Sequence, residues 1–151
     1  MFAGCATQLA PAYDKAVADG LTSGNTEVMT LLAAVTPATT NATFQQREEK
    51  YNTVIGKFEA LSVQAGARPM PKNKASDLVN KVLQSRGTSV LADDDQVPPS
   101  VHAIKKIAET VTKMRDTDKK QGVTATEAKI FKGQILIYLD QALTYENFLQ
   151  R

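Results

Sequence analysis

The chain has no tryptophan, one histidine and one cysteine in 151 residues. A single cysteine excludes an internal disulfide and every Cys-x-x-Cys metal or redox motif. A single histidine, His102, leaves no set of ligands for zinc. The residue three before it is Pro99, so the Glu-x-x-His pair of di-iron bundles is missing as well. No apolar run approaches 18 residues, so no segment is expected to span a bilayer. Alternating Val/Ile/Thr runs between tight turns are scarce, which argues against a sheet. Neither sign of charge dominates: the net charge is +2 with the signs interleaved, without the basic face of a dedicated nucleic-acid binder. There is no Gly-x-Ser-x-Gly elbow and no Gly-rich phosphate loop.

What is present is helical periodicity. The composition, 42% hydrophobic and 23% charged, is that of an ordinary globular protein. At this length one domain can bury about 68–70% of the surface its unfolded chain exposes and needs neither metal nor disulfide to fold. We expect an all-α helical bundle of about five to six helices, its last two forming an antiparallel hairpin, in a single domain over residues 10–151.

A first helical stretch begins near residue 10, with Pro11 in its first turn and Tyr13, Val17 and Leu21 on one face. Gly20 and Gly24 loosen it, and Asn25 or Thr26 can cap a continuation to Val35. Residues 10–35 thus read as one helix or two, ending before Pro37. Thr43 and Gln46 have the spacing of a capping box for a helix over residues 44–65. Its seam is Phe44, Tyr51, Val54, Ile55, Phe58, Leu61 and Ala65, which places Phe58 in the core. Gly66 and the Arg68-Pro-Met-Pro run stop it. A short helix over residues 74–85, capped by Asn73, carries Leu78, Val79, Val82 and Leu83, with Gly87 as its stop. Pro98-Pro99 opens a helix to Gln121, with Val101, Ile104, Ile107, Ala108, Val111 and Met114 as its stripe, ended by Gly122. Thr124 and Glu127 form a second capping box for a helix over residues 125–149. The middle of that last helix, Ile135 to Leu139, is apolar all round, which predicts a central place in the bundle.

The first residues, Met1-Phe-Ala-Gly-Cys5-Ala6, carry the strongest local signal. They resemble the end of a bacterial lipoprotein signal, in which a large apolar residue and small residues precede the cysteine that is lipidated. Phe2 stands where Leu, Val or Ile is commoner, and no basic or long apolar region precedes it. The expectation is a chain beginning just before the cleavage point. Residues 1–4 are then a signal remnant, Cys5 is the lipid-attachment residue, and residues 1–9 are a short anchor tether. Acyl chains at about 0.8 kcal/mol per buried CH₂ hold such a domain on a membrane without a spanning helix. A lone thiol in an oxidising compartment also makes more sense capped than free.

A wider likeness rests on residues 43–71, with Cys5, Tyr13-Asp14 and the closing Gln141-Ala-Leu-Thr-Tyr-Glu-Asn-Phe-Leu149. In these the chain resembles a group of small bacterial lipoproteins to which no activity has been assigned. They share the lipidated cysteine, an all-helical body and an aromatic-and-basic helix ending near Ala-Arg-Pro. The resemblance implies fold and place and brings no binding or catalytic residues. Ala6 after the cysteine, where Asp is absent, resembles outer-membrane sorting, with the body in the periplasm.

Beyond Cys5, every candidate for chemistry reads as structure. His102 sits near a helix start and reads as a boundary residue. Met29 and Met114 lie on apolar faces and read as core rather than haem ligands. Asp93, Asp94 and Asp95 lack the EF-hand spacing and read as a solvated loop. Glu48 and Glu49 are neighbours on a helix and point apart, so they are no acid/base pair. Lys72, Lys74, Lys81 and Arg86, and Lys105, Lys106, Lys113, Arg115, Lys119 and Lys120, can touch anionic lipid or peptidoglycan, but Asp77, Glu109, Asp116 and Asp118 dilute both sets. The sequence therefore predicts a membrane-tethered binding or structural module of the bacterial envelope. It is expected to act without catalytic residues, cofactor or metal, with envelope proteins, lipid or peptidoglycan as partners and no nucleic acid. A helical adaptor of an envelope or secretion complex and an enzyme with a motif-less site are the alternatives. An apolar groove would favour binding, and a polar cleft with perturbed carboxylates would favour the enzyme.

Overall fold

The computed structural model describes residues 10–70, 75–91 and 97–150. Cys5, Lys72, Asn73, Lys74 and the Asp93–Asp95 run lie outside the described residues. The described residues form an all-helical bundle of five α-helices and one 3₁₀ turn: α1 (Lys15–Val35), the turn (Asn41–Thr43), α2 (Gln45–Gly66), α3 (Ala75–Ser85), α4 (Pro99–Gln121) and α5 (Ala125–Leu149). In spatial order α1 lies on α2, α2 on α4, α4 on α5 and α5 on α1, a closed ring of four. Neighbours run antiparallel. Arg47 at the start of α2 bonds Asp118 at the end of α4, and Ser100 at the start of α4 bonds Glu146 near the end of α5. The last two helices are therefore the expected hairpin. α3 stands outside the ring and packs chiefly on α5 among the described helices.

The ring encloses one continuous core that includes Leu21, Leu32, Tyr51, Phe58, Ile104, Ile107, Met114, Ile135 and Leu139. Phe58 is fully buried, as its seam position predicts. Burial of such residues supplies most of the stability, since these helices have modest intrinsic propensity. A second, smaller cluster lies at one end, where Val79 and Leu83 of α3 meet Leu91, Tyr145 and Leu149, flanked by Ala10, Tyr13 and Phe148.

Several boundaries differ from expectation, each for a local reason. Pro11 does not open α1. Asp14 is the cap, accepting from the N–H groups of Ala16 and Val17, so the helix starts at Lys15. Residues 15–35 are one helix. Its glycines mark close approach to α2: a Cβ on Gly24 would lie 3.0 Å from the Phe58 ring, and one on Gly20 would collide with Leu61. The expected capping box at Thr43 does not form. Its hydroxyl donates to Thr40 O and accepts from Arg47 instead, and α2 has no side-chain cap. Gly66 is the last residue of α2, not the stop beyond it. In α3, Val79 and Leu83 are buried but Leu78 and Val82 are exposed. The capping box at Thr124 and Glu127 is present. The middle of α5 is not central. Leu136 and Ile137 face outward, because the ring covers only one side of this helix.

Candidate functional site

The buried charges come first, because they hold the best-positioned polar chemistry. At one end of the ring, Arg47 grips Asp118 with Nε to Oδ2 (2.8 Å) and Nη2 to Oδ1 (2.9 Å). The Tyr51 hydroxyl donates to Oδ2 at 3.1 Å and the Thr39 hydroxyl to Oδ1 at 2.6 Å. Thr39 Oγ1 in turn accepts from Val123 N, while Thr39 N donates to Val123 O. Burial alone would raise the Asp118 pKa. The hydrogen bonds from Arg47 and Thr39, with the Arg47 charge and the Tyr51 hydroxyl, reverse that and hold the carboxyl below its ordinary range. The same burial, with the Asp118 charge, drives the Tyr51 pKa well up.

At the opposite end, Arg68 grips Glu146 with Nη1 to Oε2 (2.8 Å) and Nη2 to Oε1 (2.5 Å). Ser100 adds a 2.5 Å bond to Oε1, and Arg68 also bonds Ala65 O and Ala12 O. Just before Glu146 is Tyr145, fully buried, whose hydroxyl has no partner among the described residues. Burial, then the Glu146 charge, raises its pKa. Arg47 joins α2 to α4, Arg68 joins the segment just after α2 to α5, and both carboxylates are buried. The two pairs are structural latches.

Sequence reasoning missed both latches, although a signal exists. Arg47 falls three residues after Phe44 and four before Tyr51, on the apolar seam of α2. Asp118 follows Met114 by four and Glu146 follows Ala142 by four. A charge on a seam must find a buried partner.

The open surface offers three grooves of interest. Between α1 and α2 a groove of about 370 Å³ is floored by Leu31 and Val54. Glu27 beside it accepts from Lys57 through Oε1, and its Oε2 is buried without a partner among the described residues. Between α2 and α4 a groove of about 710 Å³ is edged by Glu59, Lys105, Glu109 and Lys113. Glu109 is held below its ordinary range, chiefly by the hydrogen bond from Lys106. Both displaced carboxylates, Asp118 and Glu109, are thus displaced downward, whereas a general acid at neutral pH requires the opposite.

The third cleft, about 360 Å³, lies between the start of α4, the middle of α5 and the segment after α3. It brings His102 together with Gln134, Tyr138, Val90 and Ile137. The side chains of His102, Gln134 and Tyr138 make no hydrogen bond among the described residues. Gln141 closes the cleft by donating to Ser89 O and Val90 O. Val90 and Ile137 (38%) at its edge are exposed, and along α5 Ile130 is 56% exposed and Leu136 43%, among the exposed Lys129, Lys132 and Gln134. This is where exposed aliphatic side chains and uncommitted polar ends meet.

The other sequence candidates stay apart. Met114 is core and Met29 packs against it. Glu49 is exposed and Glu48 half-buried. Among the described residues no three His, Cys, Asp or Glu side chains gather as a metal group. No helix among them is long and apolar enough to cross a membrane. Compared with protein-family models, with curated proteins and with solved structures, the chain matches none.

Proposed function

We propose that this chain is a binding module of the bacterial envelope, lipid-tethered at Cys5, whose working surface is the outer face of α5 with the His102 cleft beside it. One observation supports binding over catalysis. Among the described residues the buried charged side chains are paired in two latches, while aliphatic side chains stay in water along α5. Exposed apolar surface beside free hydrogen-bonding ends is the composition of a protein-docking face. The Phe-Ala-Gly-Cys sequence supports the tether and the envelope location, and Ala6 favours the outer membrane facing the periplasm.

The test uses the full-length precursor in a Gram-negative host. Wild type should sediment with membranes and carry acyl mass on Cys5, and Cys5→Ser should move to the soluble fraction. Mild crosslinking should trap the wild type in species larger than one chain, and Ile137→Asp should abolish them while leaving the circular dichroism unchanged. Equal fractionation of wild type and Cys5→Ser would remove the tether. Species unaffected by Ile137→Asp would remove the docking face.

A further inference from the structure

The described residues begin at the Glu146 end of the ring. Arg68 donates to Ala12 O there, and Gln64 donates to Asp14, the cap of α1. Ala10 and Tyr13 pack on the small cluster that Val79 and Leu83 of α3 form with Tyr145 and Leu149. Residue 10 is thus fixed beside α3. Cys5 lies five residues before Ala10, and a fully extended chain of that length spans at most about 18 Å. α5 alone, at 25 residues, is about 37 Å long. An acyl group on Cys5 therefore obliges the α3 end to stay near the bilayer, and obliges nothing of the Asp118 end.

α3 presents a surface suited to that place. It buries Val79 and Leu83 but leaves Leu78 (49% exposed) and Val82 in water, one turn apart on one flank. Val82 also edges a groove of about 270 Å³ whose other wall carries Leu143 and Phe148 of α5. The acid beside this groove, Asp140, is held by Arg86 and Thr88. Lys81 is exposed one residue before Val82. A lysine so placed lays its stem on apolar surface and sends its ammonium to the headgroups. Asp77 offsets its charge, so apolar contact rather than net charge carries the attraction. A helix with one flank packed on its domain and another apolar and open has the form of one lying in the headgroup plane. The exposed aliphatic side chains of α5 are more distant, Ile130 lying about 28 Å along the helix from Leu149.

Resting on the reading of Cys5 as the lipid-attachment residue, we propose that the Leu78–Val82 flank of α3, with the groove beside it, is a bilayer-contact surface. The body docks on the lipid next to its own anchor, and the occupant of this surface is the headgroup layer of the membrane.

The experiment supplies the anchor chemically, so it does not depend on natural lipidation. The full chain, whose sole thiol is Cys5, is coupled to a maleimide lipid in phosphatidylcholine nanodiscs carrying a paramagnetic doxyl lipid. The NMR methyl signals of Leu78 and Val82 should be lost, while those of Ile130 and Ile137 survive. Coupling to discs without the doxyl lipid should slow amide exchange over residues 77–85 about ten-fold or more, the protection expected from covering two half-exposed aliphatic side chains. The double variant Leu78→Asp, Val82→Asp, folded by circular dichroism, should show no such slowing. Signal loss at Ile130 and Ile137 equal to that at α3, or no loss at α3, overturns the contact surface whatever the state of Cys5 in the cell. Loss confined to α3 in the coupled chain, with no acyl mass on Cys5 in the Gram-negative host, upholds the surface and removes the natural tether.

Discussion

The two ends of the four-helix ring solve the same problem with different completeness. Each is closed by an arginine gripping a distant carboxylate: Arg47 of α2 lies 71 residues from Asp118, and Arg68, just after α2, lies 78 residues from Glu146. At the Asp118 end the carboxylate collects four bonds from three side chains, two of them from Arg47. The turn that supplies Thr39 is itself bonded in both directions to Val123. Ala38, held beside it at φ 75°, is in a conformation that non-glycine residues rarely adopt. At the Glu146 end the carboxylate collects three from the described residues, and the neighbouring Tyr145 hydroxyl has no partner among them. That end is finished by α3, an element outside the ring with its own small cluster. Buried polar groups contribute when every member is partnered and cost when one is not. The Asp118 end is therefore the firm end, and the Glu146 end is where the fold has stability in reserve.

The largest expected effect tests this directly. Asp118→Ala leaves the Arg47 guanidinium buried without its acceptor and should cost about 3–5 kcal/mol in urea unfolding. Glu146→Ala should cost less, because fewer donors lose their acceptor. Equal losses would erase the difference between the ends. The comparison also has a pH signature. The folded Asp118 carboxyl lies below its ordinary value, so its contribution is whole above the unfolded pKa of about 3.9. It is lost as pH falls through the folded value. Wild type should lose stability more steeply than Asp118→Asn as pH drops below about 4. Parallel curves would mean that the latch carries no net proton linkage.

Two glycines separate the ends next. Gly122, at φ 84°, ends α4, and a Cβ there would lie 2.2 Å from the Thr39 carbonyl oxygen. Gly122→Ala must push the α1–α2 turn away from Asp118, and should cost about 3 kcal/mol or more from backbone strain and displacement together. Gly87, at φ 70°, ends α3 with bonds from its own N–H to Gln84 O and from Thr88 N to Leu83 O, and a Cβ there would meet nothing. Gly87→Ala should cost only about 1 kcal/mol, the left-handed penalty alone. Thermal midpoints of the two variants decide it. A Gly87→Ala loss as large as that of Gly122→Ala would show the α3 end to be as tightly determined as the other.

How much of this was legible in the sequence depends on the range of the interaction. Local signals read well: the Thr124–Glu127 capping box, Pro99 at the start of α4 and Gly122 at its end all stand where expected, because each is decided within four residues. The first helix was started too early because Pro11 suits a first turn, while Asp14, three residues on, makes the cap. Thr43 failed as a cap because Arg47, drawn inward by Asp118, took its hydroxyl. That contact spans 71 residues and leaves no local trace beyond a charge on an apolar seam. The middle of α5 misled for the opposite reason. Apolarity on every side was read as burial, and on this helix it leaves a bare face. The latches were visible only as misfits in the pattern, and the bare face of α5 only as an excess of the expected pattern.

The smallest effect is also the sharpest comparison, because the two variants differ in nothing but the neighbourhood of one oxygen. Tyr51 and Tyr145 are both fully buried. The Tyr51 hydroxyl donates to a buried carboxylate, a bond of the class that contributes about 1.5–3 kcal/mol, and Tyr51→Phe should lose that amount. The Tyr145 hydroxyl has been taken out of water and has no partner among the described residues. Removing it deletes a desolvated group and leaves the ring packing intact, so Tyr145→Phe should be neutral or raise stability by up to about 1 kcal/mol. The two changes should have opposite or near-opposite signs in the same denaturation assay. A Tyr145→Phe loss matching that of Tyr51→Phe would mean that the hydroxyl is satisfied in solution. The Glu146 end would then be as complete as the Asp118 end, and the asymmetry between them would reduce to the number of donors on each carboxylate.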